Sequence, residues 1–467
     1  MFRKQKRSLP RNVLHQKQKN SFKERTQALI GNDSFAALEA ALQEEVPVSI
    51  RLNPKKQTNT PAHPPVPWCE TGYYLPSRPA FTLDPLLHAG AYYVQEASSM
   101  FLEQAIRQHV SHPVVCLDLC AAPGGKSTLL LENLPAGSLL VSNEVIRSRS
   151  HILAENCIKW GNPYSITTNN DPESFGKLPH LFDIVVADVP CSGEGMFRKD
   201  ADSIGEWSVD NVRLCAARQR RIIHDCWETL KPGGIMVYST CTYNTEENEE
   251  NIQYIVDTLG ASPLTIETKP EWGVSPSVDS SLPAYRFFPH KTKGEGFFLA
   301  LLQKESADVE APHPRKKQKK GGKNTPLTIP PIVRTWLKSD TDFHYEQQGN
   351  LLLAIPSIHR ETYELLAKQL HIVSSGVRLG ELKGKDIVPS HALAMSTALD
   401  PSAFPTTELT YKDAIAYLRK EALTLPAECP KGYVLVRFHD LPLGFVKQLG
   451  NRANNLYPQE WRIRKTL

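Results

Sequence analysis

Two cysteines stand just past apolar runs that read as parallel strands, Cys191 in FDIVVADVPCSGEG and Cys241 in GGIMVYSTCTYNTEEN. Open α/β sheets bind ligands at the carboxyl ends of their strands, so two thiols at one sheet edge point to paired thiol chemistry. Asn244 and Glu247 have capping-box spacing. That spacing predicts a helix start close behind Cys241, which would favour its thiolate. Asp188 opens a short acid-x-Pro turn, and such a turn can hold a flat base while the acid hydrogen-bonds its edge. Cys116, Cys157, Cys215 and Cys226 read instead as inert small hydrophobes.

A third run, VVCLDLCAAPGGKST, passes from a buried strand through Ala121, Ala122, Pro123, Gly124 and Gly125 into a helix starting near Ser127. Glycines at a strand-to-helix turn let a ligand approach backbone N–H groups at the helix N-terminus. Gly125-Lys126-Ser127 nearly completes the phosphate loop GxxxxGK[ST], but Cys120 occupies the place of its first glycine. The dinucleotide fingerprint GxGxxG fails as well. Glu144, twenty residues after Gly124, ends the second strand, where a carboxylate can accept hydrogen bonds from a ribose diol. An acid there suits an adenosyl group better than a string of phosphates. Asp171, just after the third strand, stands where an adenine contact would lie. Cys120 reads as structural within the loop.

These residues need a frame to bring them together. Between about 112 and 302 the chain alternates apolar strand, turn and amphipathic helix, with strands expected at Val114–Leu119, Leu139–Asn143, Ile166–Asn169, Ile184–Ala187 and Ile235–Tyr238. Helices are expected to begin near Ser127, Arg147, Val209 and Glu246. The pattern is that of a doubly wound α/β sheet of the Rossmann-like kind. The expected division is an N-terminal extension over 1–90, a catalytic core over 91–302, a charged Pro/Gly-rich linker over 303–326 and a C-terminal region over 327–467. The last part alternates as short strands (YVLVRF, PLGFVKQLG and WRIR) and carries seven bases against two acids between Lys431 and Leu467, a small basic β-rich module.

The 467 residues, 40% hydrophobic and 22% charged, imply two or three domains with a sizeable core. No apolar stretch reaches transmembrane length and no signal-peptide block follows the basic start, so the expected location is the cytoplasm. Nine scattered cysteines with no CxxC pair fit reduced thiols, and His224 and His290 lack partner ligands at metal-binding spacing. The net charge of +4 is unevenly spread. Residues 1–25 hold nine Lys or Arg against Glu24 alone, and 315–323 hold six bases and no acid, leaving 39 bases against 49 acids elsewhere. Such segments can be mere solvated tails, or they can meet a polyanion.

CAAPGGK (120–126), DVPCSG (188–193) and YSTCT (238–242), with SIRLNP (49–54), YYVQEASSM (92–100) and FFPHKTKGEGFF (287–298), closely resemble the Nop/Sun (Fmu-like) family of RNA cytosine-5 methyltransferases over about 45–302. The C-terminal part, including PLGFVKQLGNRANNLYP (442–458), resembles the tail of a bacterial branch that methylates small-subunit ribosomal RNA, with a PUA-like RNA-binding domain. The resemblance implies S-adenosylmethionine as cofactor, held by Cys120, Ala121, Ala122, Pro123, Gly124, Gly125 and Lys126, with Glu144 at the ribose, Asp171 at the adenine and Asp188 near the methyl-transfer centre. It implies 16S ribosomal RNA or the 30S particle as substrate, with transfer RNA as the alternative.

Chemistry supplies its own argument for cysteine. Carbon 5 of cytosine is too weak a nucleophile to take a methyl group unless a thiolate first adds to carbon 6. The residues alone leave open which thiol attacks, because DNA cytosine methyltransferases use a Pro-Cys cysteine like Cys191. The resemblance assigns attack to Cys241 and product release to Cys191, with Asp188 positioning a base that must be unpaired or flipped out. Two other classes remain at this point, a non-catalytic ribosome-assembly factor that clamps RNA and a P-loop NTPase. Nothing in the sequence requires more than a monomer.

Overall fold

The computed structural model describes residues 11–57, 59, 61–199, 203–278, 281–305 and 329–464, with side chains from residue 18 onward. Much of the expected linker, and the basic run 315–323 with it, lies outside the described residues.

The central sheet is built from near-continuous apolar runs. These are β1 (Val115–Asp118), β2 (Leu139–Asn143), β3 (Ser165–Thr168), β4 (Phe182–Asp188) and β5 (Leu230–Thr240), all parallel where they pair. Every residue of β2 is buried, as expected of a strand covered on both faces. Three antiparallel strands extend the far side, β6 (Ala261–Leu264), β7 (Tyr285–Phe287) and β8 (Phe297–Lys304). The spatial order is β7-β8-β5-β4-β1-β2-β3, with β6 on β8. Order reverses between β1 and β4, which marks the switch point where a ligand cleft opens past the carboxyl ends. Alternate residues serve opposite faces: Leu117 joins a core with Ile222, Ile223, Ile252 and Ile255, and Cys116 one with Leu129, Leu130 and Ile106. The doubly wound expectation holds. Helix α1 (Gly125–Asn133) starts two residues earlier than expected, α2 (Arg147–Trp160) and α3 (Val209–Cys226) start where expected, and α4 begins at Glu249 and runs to Leu259.

The regions on either side are more entangled with this sheet than the sequence suggests. Ahead of it lie two helices (Arg11–Ile30 and Asn32–Ala41) and a small antiparallel sheet in which Val48–Leu52 pairs with both Gly72–Leu75 and Tyr92–Val94. The third of these strands falls beyond the boundary expected at residue 90. At the other end, residues 303 and 304, expected in the linker, complete β8. Strand β9 (Ile372–Ser375), from the C-terminal region, adds to the free edge of β3. Ile355, Tyr363, Leu366 and Leu370 then join the same apolar cluster as Leu117 and Val141. A period-2 pattern cannot reveal a strand that docks from two hundred residues away, because its pairing is set by edge complementarity.

The chain on either side of β9 makes two four-stranded sheets, Phe343–Gln348, Leu351–Pro356, Val377–Lys383 and Asp386–Pro389, then Thr406–Glu408, Gly432–Phe438, Leu441–Gln448 and Ala453–Asn455. The strand expected at WRIR (461–464) does not form. Ala453–Asn455 takes its place as the partner of Leu441–Gln448, and Trp461 packs edge-on against His391 instead. Among the described residues no helix is long and apolar enough to cross a membrane.

Because Leu366 is fully buried in the central cluster, Leu366→Ala is expected to cost about 2–5 kcal/mol. Urea denaturation followed by tryptophan fluorescence should show it lowering the midpoint of the transition that unfolds the central sheet. A separate early transition of the C-terminal region, with the main one unmoved, would contradict the shared core.

Candidate functional site

A cavity of about 310 Å³ opens at the switch point. Its wall includes Tyr93, Gln95, Asp118, Cys120 to Pro123, Gly125, Lys126, Asp188, Lys199, Cys241 and Glu295. Gly124, at φ +116°, caps α1 in a conformation that favours glycine. The turn is braced from outside: Arg149 donates to the Ala122 carbonyl at 2.8 Å, and Asn156 to that of Pro123 at 2.8 Å. From the N-terminal sheet, buried Arg51 donates to Gln95 Oε1 at 2.8 Å and to Thr128 Oγ1 in α1 at 2.6 Å. Three separated sequence motifs thus meet in one hydrogen-bonded chain.

Lys126 and Ser127 do not do what a phosphate loop requires. Lys126 donates to Asp188 Oδ2 at 2.8 Å, and Ser127 Oγ donates to Asp118 Oδ2 at 2.6 Å. Burial opposes the Lys126 charge, but Asp188 and then Asp118 outweigh it and hold the ammonium above its ordinary value. Ser239 Oγ donates to the other Asp188 oxygen at 2.8 Å, so Asp188 is fixed from the first turn of α1 and from the end of β5. The NTPase alternative is set aside on these partners.

Asp118 was missed by the sequence reading, although an acid inside the apolar run VVCLDL is its signal. Its Oδ1 is buried without a partner, and burial pushes the carboxyl up to about 7. An unpartnered buried carboxylate oxygen is costly until a donor reaches it. A ligand carrying an ammonium group fits that need.

The two thiols come together. Cys191 Sγ and Cys241 Sγ lie 3.3 Å apart, in contact but unbonded. Cys241 lines the cavity and Cys191 is absent from its wall. The hydrogen bond to the Cys241 sulfur and then burial raise the Cys191 thiol well above the ordinary thiol range, so Cys191 keeps its proton. Cys116, Cys157, Cys215 and Cys226 are buried, and burial raises each of these thiols above its ordinary value. Burial likewise holds the Cys120 thiol protonated.

What shapes the loop after Cys241 is not a helix end. The capping-box expectation is corrected: α4 starts eight residues later, and Asn244 and Glu247 bond each other in the turn before it. Glu247 is fully buried and accepts from Ser192 N at 2.9 Å and Gln219 Nε2 at 2.8 Å, tying the Cys191 loop to the Cys241 loop. Burial raises its carboxyl above the ordinary value. Glu194, also unforeseen, accepts from Thr242 Oγ1 at 2.6 Å, Tyr243 N at 2.6 Å, Asn244 N at 2.9 Å and Trp207 Nε1 at 3.0 Å. Gly195 follows because a Cβ there would stand 3.0 Å from the carbonyl oxygens of both Cys241 and Gly296.

Glu144 and Asp171 lie outside the cavity wall. Glu144 is buried, accepts from Ile146 N at 2.9 Å and faces Arg149 at 3.4 Å. Asp171 is exposed and caps the turn 172–177 through Glu173 N. Among the described residues no group of three or more His, Cys, Asp or Glu could hold a metal ion.

The model of the 16S rRNA methyltransferase RsmB/F family matches residues 108–303, and those of the RsmF N-terminal domain and the RsmF PUA domain match 19–97 and 404–463. Ribosomal RNA small subunit methyltransferase F of Erwinia tasmaniensis is 31% identical over 414 residues, 85% of this chain and 84% of the relative. That of Citrobacter koseri is 32% identical over 454 residues, 91% and 92% of the two chains. The chain belongs to the RsmB/F family of 16S rRNA methyltransferases. Membership makes it an S-adenosylmethionine-dependent methyltransferase of ribosomal RNA, with a C-terminal PUA domain. A methyltransferase homolog protein from Pyrococcus horikoshii, 25% identical with a TM-score of 0.53, covers 64% of this chain and is itself 99% covered. NSun6 from the same organism, solved with SFG, shares the fold at 19% identity and a TM-score of 0.52, over 61% of this chain and 98% of its own.

Glu194→Ala strips the acceptor from two buried backbone N–H groups, and is expected to destabilise by at least about 2 kcal/mol. Thermal unfolding measures that loss, and methyl-transfer assays on the folded fraction should show kcat falling by more than tenfold while the Kd for S-adenosylmethionine stays within threefold. Full activity in Glu194→Ala would show that the loop holds itself.

Proposed function

We propose that the enzyme methylates carbon 5 of a cytosine in 16S ribosomal RNA through a covalent adduct between Cys241 and carbon 6. The observation that carries the reading is the thiol pair, one sulfur on the cavity wall and its protonated neighbour 3.3 Å behind it.

Cys120, Ala121, Ala122, Pro123, Gly124, Gly125 and Lys126 would hold S-adenosylmethionine along the backbone of the turn, with the free Asp118 oxygen receiving its ammonium group. Glu144 at the ribose and Asp171 at the adenine are supported by their places just past β2 and β3, the next strands along the same sheet edge. When bound, the cofactor supplies an electrophilic methyl group. Asp188, fixed by Lys126 and Ser239, is placed to hydrogen-bond the cytosine edge and favour addition at carbon 6. The Cys241 thiolate forms the S–C6 bond, and the electron pair displaced from the C5–C6 double bond makes carbon 5 nucleophilic. After methylation the carbon 5 proton leaves to a base, the double bond re-forms, and the C6–S bond breaks. Cys191 then donates its S–H hydrogen bond to the departing Cys241 thiolate, which assists release.

Methyl-labelled S-adenosylmethionine with an unmodified 16S transcript, free or in 30S particles, tests the scheme. Label should appear as 5-methylcytosine, fall by at least about 10³-fold in Cys241→Ala, and remain trapped as a protein–RNA adduct in Cys191→Ala. Label at another atom, or full activity in Cys241→Ala, sinks the proposal.

Binding should also depend on pH through Asp118. Its carboxyl sits at about 7 without ligand, so acidification removes the negative partner of the cofactor's ammonium. Calorimetry is expected to show the Kd for S-adenosylmethionine rising up to tenfold per pH unit below about 7, and a flat, weaker profile in Asp118→Asn. A wild-type profile that is flat from pH 8 to 5.5 contradicts the assignment.

A further inference from the structure

A second and larger cleft, of about 1160 Å³, lies beside the cavity between the N-terminal sheet and the segment 289–293. Arg78, Lys199, His290, Lys291 and Lys293 line it. The two spaces are joined twice. Lys199 lines both, and the chain that forms the cleft wall at 290–293 continues without a break into Glu295, Gly296 and Phe297 of the cavity wall.

Apart from Lys199, which pairs with Glu295 at 3.5 Å, these cations are not spent on the protein. Among the described residues Arg78, Lys291 and Lys293 form no ion pair. Arg78 lies over the Phe81 ring at 5.5 Å, Lys293 over Tyr74 at 4.5 Å, and Lys291 donates to Ser275 Oγ at 3.1 Å. Each is held in place by an uncharged partner and keeps its full charge for a ligand. Glu44 and Glu45 stand at the same cleft, and the Glu44 carboxylate is engaged by Arg198 at 3.4 Å. Such a concentration is notable in a chain whose residues outside 1–25 and 315–323 carry 39 bases against 49 acids.

We infer that this cleft is the track for the phosphates flanking the target nucleotide, with Lys199 at the point where the strand turns its base into the cavity. The occupant is single-stranded RNA, because a base that reaches Cys241 must have left its helix. Unpaired backbone carries one phosphate per nucleotide, and a row of uncompensated cations along a groove binds it by releasing counterions. The contacts position the strand and read no sequence. The inference rests on the RNA methyltransferase activity and is independent of which cytosine atom is modified.

Lys291→Gln/Lys293→Gln, full-length and folded by thermal unfolding, is compared with wild type and with Lys177→Gln/Lys269→Gln, exposed cations elsewhere on the surface. With an unmodified 16S transcript across a salt titration, the cleft variant should raise KM for RNA at least tenfold near 0.15 M salt. Its slope of log KM against log salt should be shallower by about 1.4, or about 0.7 per lost phosphate contact. Its kcat and its KM for S-adenosylmethionine should stay within twofold of wild type, and the control pair should match wild type throughout. An unchanged KM and salt slope, a loss confined to kcat, or an equal loss in the control pair overturns the inference. Anisotropy with a labelled single-stranded RNA separates the premises. If wild type transfers no methyl group, the activity reading fails, while weaker binding by the cleft variant still supports the track and equal binding still overturns it.

Discussion

One buried carboxylate holds the reacting end of the molecule in shape. Glu194 is 2% exposed and accepts from the hydroxyl of Thr242, the backbone of Tyr243 and Asn244, and the indole of Trp207. An acid in so dry a place is tolerable only because its donors converge on it. The consequence runs the other way too: the residues after Cys241 have few other conformations that would satisfy that acid. The Cys241 loop is therefore set by a residue from the neighbouring strand's loop, and Glu247 repeats the device by receiving Ser192 N beside Cys191. Two loops that each carry one thiol are cross-tied by two glutamates, and the 3.3 Å between the sulfurs follows from those ties.

The N-terminal helices belong to the same construction. Phe22 packs against Phe197 and Trp207 with ring centroids 5.0 and 5.9 Å apart, and Phe35, Tyr243 and Phe288 share the cluster. Trp207 is the residue whose indole reaches Glu194. Arg25 pairs with Glu246 in the turn before α4, and Arg198 donates to the carbonyl of Glu45 at 2.6 Å. A region that the sequence presents as an appended extension is the outer wall of the two thiol-bearing loops. The buried Arg286–Glu249 pair closes the opposite side, with Arg286 also donating to the Tyr243 carbonyl at 2.6 Å. Removing either partner of a pair so fully buried strands a charge, which is why such positions tolerate little change.

Much of this frame is legible in the one-dimensional pattern, and the failures are instructive. Parallel strands announce themselves as apolar runs because both faces are covered, and all five lie within a few residues of their expected places. The Asn244–Glu247 spacing is real chemistry misassigned: the pair does bond, but it closes a turn whose neighbours are Glu194 and Ser192, so local spacing could not distinguish a cap from a cross-tie. WRIR alternates like a strand, yet its tryptophan is claimed by His391 and Lys159, and packing overrides periodicity. Asp118 shows in the sequence only as an acid in an apolar run and Glu194 only as the centre of a Gly-Glu-Gly turn, and neither pattern says which way its oxygens face.

The sequence by itself determined the residue types that chemistry demands and the order in which they arrive. These are two thiols and an acid at strand ends, a Gly-Gly turn opening a helix, and six motifs whose joint occurrence points to one family. It could do so because strand periodicity and turn chemistry act over a few residues. Tertiary structure alone decided which sulfur meets the cavity, which carboxylate is left without a partner, and which strand from the C-terminal region closes the sheet. Those outcomes depend on groups brought together from fifty to two hundred residues apart, where burial and convergent hydrogen bonds, rather than local preference, select the geometry.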